Sequence, residues 1–160
     1  MTSRDFTNRD VLLDSNLLVV LIIGLVQPLL LGTGRVSQYD LSDLRLLKLI
    51  ANKSRKLITT PFVIAEVNSL LQMNSSHYVR RCRAMLGELL VRFEEQHIPS
   101  HRLLTSEPRL ANEFGVTDMS ILEVAKRGTI ILTEDRPLAA LLRNKGLEVL
   151  DLDTLRIPSK

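Results

Sequence analysis

Cysteine is nearly absent: Cys82 stands alone in 160 residues. No intramolecular disulfide can form, so stability has to come from a packed core, and the chain suits a reducing compartment such as the cytoplasm. Tryptophan is missing, and two Tyr and four Phe are a poor supply of base-stacking platforms, so any nucleic-acid partner has to be held chiefly through its phosphates. A strong charge bias is missing as well. The balance of 21 basic against 18 acidic residues leaves a net charge of +3, far from the footprint of a dedicated nucleic-acid coat protein. The histidines offer no zinc site, because Pro99 interrupts any regular helix between His97 and His101 and His77 has no partner at ligand spacing.

There is no membrane-length apolar run. Residues 17–31 are strongly apolar, but Gln27 and Pro28 interrupt them and Asp14 and Asn16 bound them. The segment also falls short of the roughly 20 residues that a spanning helix needs. Residues 1–10 carry Asp5 and Asp10 without an apolar core, unlike a signal peptide. A soluble, cytoplasmic protein with no membrane partner is expected. Repeats, linkers and low-complexity stretches are also lacking. The length predicts one domain over residues 1–160, with about 153–160 a loose tail.

What is present is alternation. Short apolar strands are expected at 11–13, 57–59, within 98–105, at 129–132 and at 147–150. Helical periodicity and caps predict helices over 16–26, 40–53, 61–73, 76–96, 106–113, from Thr117 to Gly128, and from Pro137 to Gly146. Residues 31–39 read as a loop. Strands alternating with helices predict a three-layer α/β/α domain around a mainly parallel sheet.

Four carboxylates stand at informative places. Asp14 follows the strand Val11-Leu12-Leu13, and Asp135 follows the β-branched strand ending at Leu132. Asp118 opens a helix after Gly115, and Glu66 is the one charged residue from Pro61 to Met73. Each has an ordinary reading. Asp14, or Ser15 beside it, can cap the next helix, and Glu66 can reach water or a basic side chain. In a parallel sheet, however, the carboxyl ends of strands face a crevice where ligands bind, and all four acids can reach it. Crowded carboxylates repel one another and raise one another's pKa until a proton or a cation intervenes. An oxygen-only donor set suits Mg²⁺ or Mn²⁺ and, with them, phosphoryl chemistry. Arg80, Arg81 and Arg83 lie opposite or beside the buried stripe of the long helix. They are candidates for RNA phosphate binding, although such a face is commonly just solvated surface.

The elements Leu13-Asp14-Ser15-Asn16, Ala65-Glu66-Val67, Thr117-Asp118 and Leu132-Thr133-Glu134-Asp135, in that order, resemble the pattern of the PIN-domain nucleases across nearly the whole chain. The resemblance implies a Mg²⁺- or Mn²⁺-dependent endoribonuclease that cuts RNA phosphodiester bonds with an activated water. Asp14, Glu66, Asp118 and Asp135 would be the metal-binding and catalytic acids, and Asn16 and Thr133 would support them. Many small bacterial members are VapC-type toxins held by an antitoxin. The expected partners are therefore RNA, an antitoxin or other inhibitor protein, and a second copy of the chain. Residues 27–39 and the long helix over 76–96 make this chain longer than a minimal toxin. Two other readings stand beside it: a PIN fold kept as an inactive binding scaffold, and a Mg²⁺-dependent receiver-like signalling domain. The receiver would want a lysine after the last strand, where this chain has Asp151-Leu152-Asp153.

Overall fold

Val11, Leu12 and Leu13 are almost wholly excluded from solvent, and they form β1 (Asp10–Leu13) at the centre of the sheet. A computed structural model describes residues 6–73 and 75–156. After β1 come α1 (Ser15–Val26), α2 (Leu41–Lys53), β2 (Lys56–Thr59), α3 (Pro61–Leu70), α4 (Ser76–Leu90) and β3 (Phe93–Glu95). The second half holds α5 (Ser100–Thr105), α6 (Pro108–Ala125), β4 (Ile130–Leu132), α7 (Arg136–Asn144), β5 (Val149–Leu150) and α8 (Leu152–Leu155). All strand pairs are parallel, in the order β3-β2-β1-β4-β5, and helices cover the sheet in a three-layer α/β/α fold. A central strand covered on both faces has no polar side to show, which is why β1 and β4 read as unbroken apolar runs.

The strand order sets the position of the site. From β1 the chain winds outward through β2 and β3, then crosses to the other side for β4 and β5. The crossovers on the two sides of β1 part company there, leaving a crevice beyond the carboxyl ends of β1 and β4.

α1 is the interior helix. Every residue from Leu17 to Gly24 is buried, and α2, α3 and α4 all pack on it. Gly24 permits the close approach of α2, since a Cβ there would lie 2.6 Å from Leu44 Cδ1. Asp40 opens α2 with a reciprocal capping box involving Asp43, and Thr60 caps α3 ahead of Pro61, as the Thr-Pro pair predicts.

The structure corrects several expected elements. The helix expected to reach Gln96 stops at Leu90, and Phe93–Glu95 forms β3, paired with β2. As an edge strand it carries exposed Glu94 and Glu95, and Glu94 pairs with Lys56 on β2. Charge on an edge discourages pairing with another chain, and it also erased the apolar signal that would have marked the strand. The strand expected within 98–105 is instead helix α5: Leu103 is buried while Leu104 is 46% exposed. The α3 helix ends at Leu70, with a 3-10 turn over Leu71–Met73. Two further 3-10 turns, Pro28–Leu30 and Gly34–Val36, occupy the stretch between α1 and α2. Residues Asp153 to Leu155, expected in a loose tail, are helical in α8, and 157–160 lie outside the described residues. Among the described residues no helix is long and apolar enough to cross a membrane.

Candidate metal-binding cleft

Asp14 both caps a helix and lines the cleft. Its backbone N–H donates to the Leu132 carbonyl (2.9 Å), extending the β1–β4 pairing by one step. One carboxylate oxygen accepts from the Leu17 N–H at 2.8 Å, at the start of α1. The other accepts from the Thr133 hydroxyl. That hydroxyl in turn accepts from the Asp135 N–H at 3.0 Å, and Asp135 caps α7 by accepting from the Leu138 N–H at 2.9 Å. A single buried hydroxyl thus ties the ends of the two central strands together and fixes both acids. Thr133 is fully buried, as a bridge between strand ends has to be.

Glu66 reaches the cleft from α3. It is exposed and has no basic partner among the described residues; instead the Ser15 hydroxyl donates to its Oε2 at 2.6 Å. The helix carrying Glu66 is locked to α6, because the Thr60 and Ser120 hydroxyls are 2.8 Å apart and Ser120 also donates to the Thr117 carbonyl at 2.7 Å. Asp118 arrives through a break in α6. Gly115, at φ 83° and ψ 175°, interrupts the helix in a region that residues with a Cβ rarely enter, and the chain then resumes helical geometry carrying Thr117 and Asp118.

All four acids line one cleft of about 180 Å³. Phe114, Ile121 and Leu138 supply its apolar wall, and no cation lines it. Burial pushes the Asp14 carboxyl up to about 6, against the hydrogen bonds from Thr133, Leu17 and Glu134 and with a further push from Asp135. Asp118 is pushed up to about 7, first by burial and then by the charges of Asp135, Glu66 and Asp14. The acids are close enough to feel one another. Among the described residues, however, no three Asp, Glu, His or Cys side chains converge tightly enough to make a ready coordination sphere. That is compatible with Mg²⁺, which keeps several waters and commonly takes only one or two carboxylates together with substrate phosphate. It is incompatible with a closed structural zinc site. The donor set, carboxylate and hydroxyl oxygen throughout, fits a hard divalent cation.

The other candidates are placed less centrally. Asn16 lines the cleft but is exposed, and its amide makes no hydrogen bond to the acids among the described residues; the hydroxyls of Ser15 and Thr133 hold the carboxylates instead. From the sequence Ser15 is a possible cap and a member of the Leu13-Asp14-Ser15-Asn16 element, and its place directly after Asp14 is the available signal. Arg80, Arg81 and Arg83 lie on α4 and do not line the cleft. Arg81 donates to the Val26 carbonyl at 3.2 Å and Arg83 to Asn68 Oδ1 at 2.9 Å, while Arg80 is exposed.

The doubly wound parallel sheet is a PIN-like three-layer α/β/α fold, and an acid after β1, an acid after β4 and two helical acids line one cleft in it. No protein-family model matches the chain, and no curated protein matches it in sequence. Among solved structures it is similar to a chain of the crystal structure of VapBC2 from Rickettsia felis bound to a DNA fragment from their promoter. The TM-score is 0.56 at 14% identity, over 89% of this chain and 98% of that one. At that identity the likeness is one of fold.

Proposed function

We propose that the protein is a metal-dependent endoribonuclease that hydrolyses RNA phosphodiester bonds. The observation that carries this reading is the convergence of Asp14, Glu66, Asp118 and Asp135, from four separate segments, on one cleft at the switch point of a PIN-like sheet. Asp14 and Asp135 would hold Mg²⁺ or Mn²⁺, since strand ends braced by Thr133 are the most rigid mounts available. Such an ion, when bound, supplies an acidified water and neutralises charge on the phosphate. Glu66, aimed by Ser15, would orient a water at the cleft mouth. Without a cation Asp118, raised to about 7, is only partly ionised at neutral pH, and positive charge that offsets its neighbours completes the ionisation. The apolar wall of Phe114, Ile121 and Leu138 lowers the local polarity on one side of the cleft and strengthens the electrostatic contacts there. Arg80, exposed on α4, is proposed with Arg81 and Arg83 as a phosphate-binding face. An inhibitor protein of antitoxin type is the proposed regulator, on the strength of the likeness to a chain of VapBC2.

The test is cleavage of RNA by wild type and Asp14→Asn, each with Mg²⁺ or Mn²⁺ and with EDTA. Wild type should cut only with metal, and the variant should be slower by roughly 100-fold or more. Equal cleavage by both proteins would sink the assignment. The scaffold reading is favoured by one observation, the lack of a ready three-ligand cluster. Titration with Mn²⁺ separates the two, because a scaffold would bind none in this cleft.

A further inference from the structure

A second cleft, of about 280 Å³, opens on the far side of Asn16 and Asp135. Those two residues line both clefts, so the two share a wall. The new cleft takes Arg35, Gln38 and Tyr39 from the stretch between α1 and α2, and Glu134 from the end of β4. Among the residues lining either cleft, Arg35 is the only cation.

Its backbone is held in place. The 3-10 turn Gly34–Val36 is closed by Val36 N–H to the Thr33 carbonyl (3.0 Å) and Ser37 N–H to the Gly34 carbonyl (3.3 Å). Tyr39 N–H then returns to the Val36 carbonyl at 3.1 Å. Val36 and Tyr39 are pinned in the core at 3% and 4% exposure, so Arg35 rides on a turn anchored from both sides. Glu134, on the same cleft, accepts from the Leu152 N–H.

The two clefts make complementary demands on one polyanion. A strand whose phosphate sits at four carboxylates gains from positive charge nearby, and the shared wall at Asn16 and Asp135 makes the two clefts neighbours. The volume lies just under the roughly 300 Å³ at which small-molecule sites begin. Amides of Asn16 and Gln38 offer donors and acceptors for a sugar or base edge.

We propose that this second cleft is a subsite for the single-stranded nucleotide flanking the scissile bond, with Arg35 contacting its phosphate. The inference rests on the ribonuclease reading, but it is tested by binding, so the two can fail separately. A labelled ten-nucleotide single-stranded RNA is titrated with Asp14→Asn protein in Mg²⁺ across a salt series, alone and combined with Arg35→Gln or Arg35→Ala. Losing a charge-assisted phosphate contact should weaken binding roughly tenfold and reduce the salt slope by about 0.7. A neutral methylphosphonate, moved along the RNA one linkage at a time, should weaken the Arg35-containing protein at one linkage and leave the Arg35 variants indifferent to it. Lys48→Gln, an exposed change on α2 outside both clefts, controls for general charge loss. Unchanged affinity and slope in both Arg35 variants, at the melting temperature of the Asp14→Asn parent, overturns the subsite, as does an Asp14→Asn parent that binds no single-stranded RNA. An Arg35-dependent binder that cuts no RNA overturns the ribonuclease reading and leaves the subsite standing.

Discussion

Asp118 illustrates what crowding does to a single residue. Its ordinary pKa of 3.8 rises to about 7 in the folded, metal-free protein. Below 3.8 both folded and unfolded chains hold the proton, so the shift has no effect on stability. Between 3.8 and about 7 the unfolded chain ionises while the folded chain retains its proton, so the folded state binds more protons and stability falls as pH rises. Above 7 the loss is complete. Asp118→Asn removes the group, so at pH 8 without metal it should be more stable than wild type, by about 1–2 kcal/mol once solvent screening of a partly open site is discounted. The advantage should vanish near pH 4. Urea melts of both proteins at the two pH values check it, and a variant less stable at pH 8 would contradict crowding. All four acids were legible in the sequence because each interrupts a pattern: two end apolar strands, one starts a helix after glycine, and one is alone on an apolar helix. Ser15 as a partner of Glu66 was not legible, because the contact spans 51 positions and only packing of α1 on α3 creates it.

At the scale of elements, the lesson lies in where periodicity carries information. The central strands β1, β2 and β4 were visible, being apolar and bounded by caps. β3 was hidden, since its charged, three-residue edge has neither alternation nor length. The adjacent pair Leu103-Leu104 suggested a strand, yet one residue faces the core and the other solvent, as a helix surface allows. The break in α6 was legible from Gly115, and it carries a prediction. With ψ 175° at positive φ, that backbone suits glycine almost alone, although open space surrounds the position. Gly115→Ala should therefore cost about 1–3 kcal/mol through backbone strain rather than collision. Calorimetry should show the lower melting temperature, and metal affinity should fall with it because Asp118 loses its aim. A variant melting like wild type would show that the break is soft.

Across the whole molecule, the C-terminal end of the described chain is clasped to its first half. Arg156 places Nε 2.8 Å from Asp43 Oδ1 and Nη2 3.0 Å from Oδ2, a two-pronged grip on a carboxylate only 1% exposed. Asp43 belongs to the capping box of α2, and nothing in the sequence linked it to a residue 113 positions away. Removing the guanidinium strands a buried charge, so Arg156→Ala should cost about 2–3 kcal/mol, somewhat below the figure for a fully buried pair because Arg156 is partly open to solvent. Adding Asp43→Asn to it should recover part of the loss, and additive losses in a urea double-mutant cycle would refute the clasp.

The pairing of β1 with β4 has a consequence in time. Asp14 meets Thr133 across 119 positions, so a chain growing from its N-terminus can pair β1 with β2 and β2 with β3 while the partner acids do not yet exist. At about 5–20 residues per second of synthesis, seconds separate the emergence of Asp14 from that of Asp135. Until residue 118 emerges, the growing chain carries at most the Asp14 and Glu66 side of its cleft. An enzyme that cuts RNA would thus be unable to act on the message and ribosome producing it until β4 and the acid that follows it have emerged.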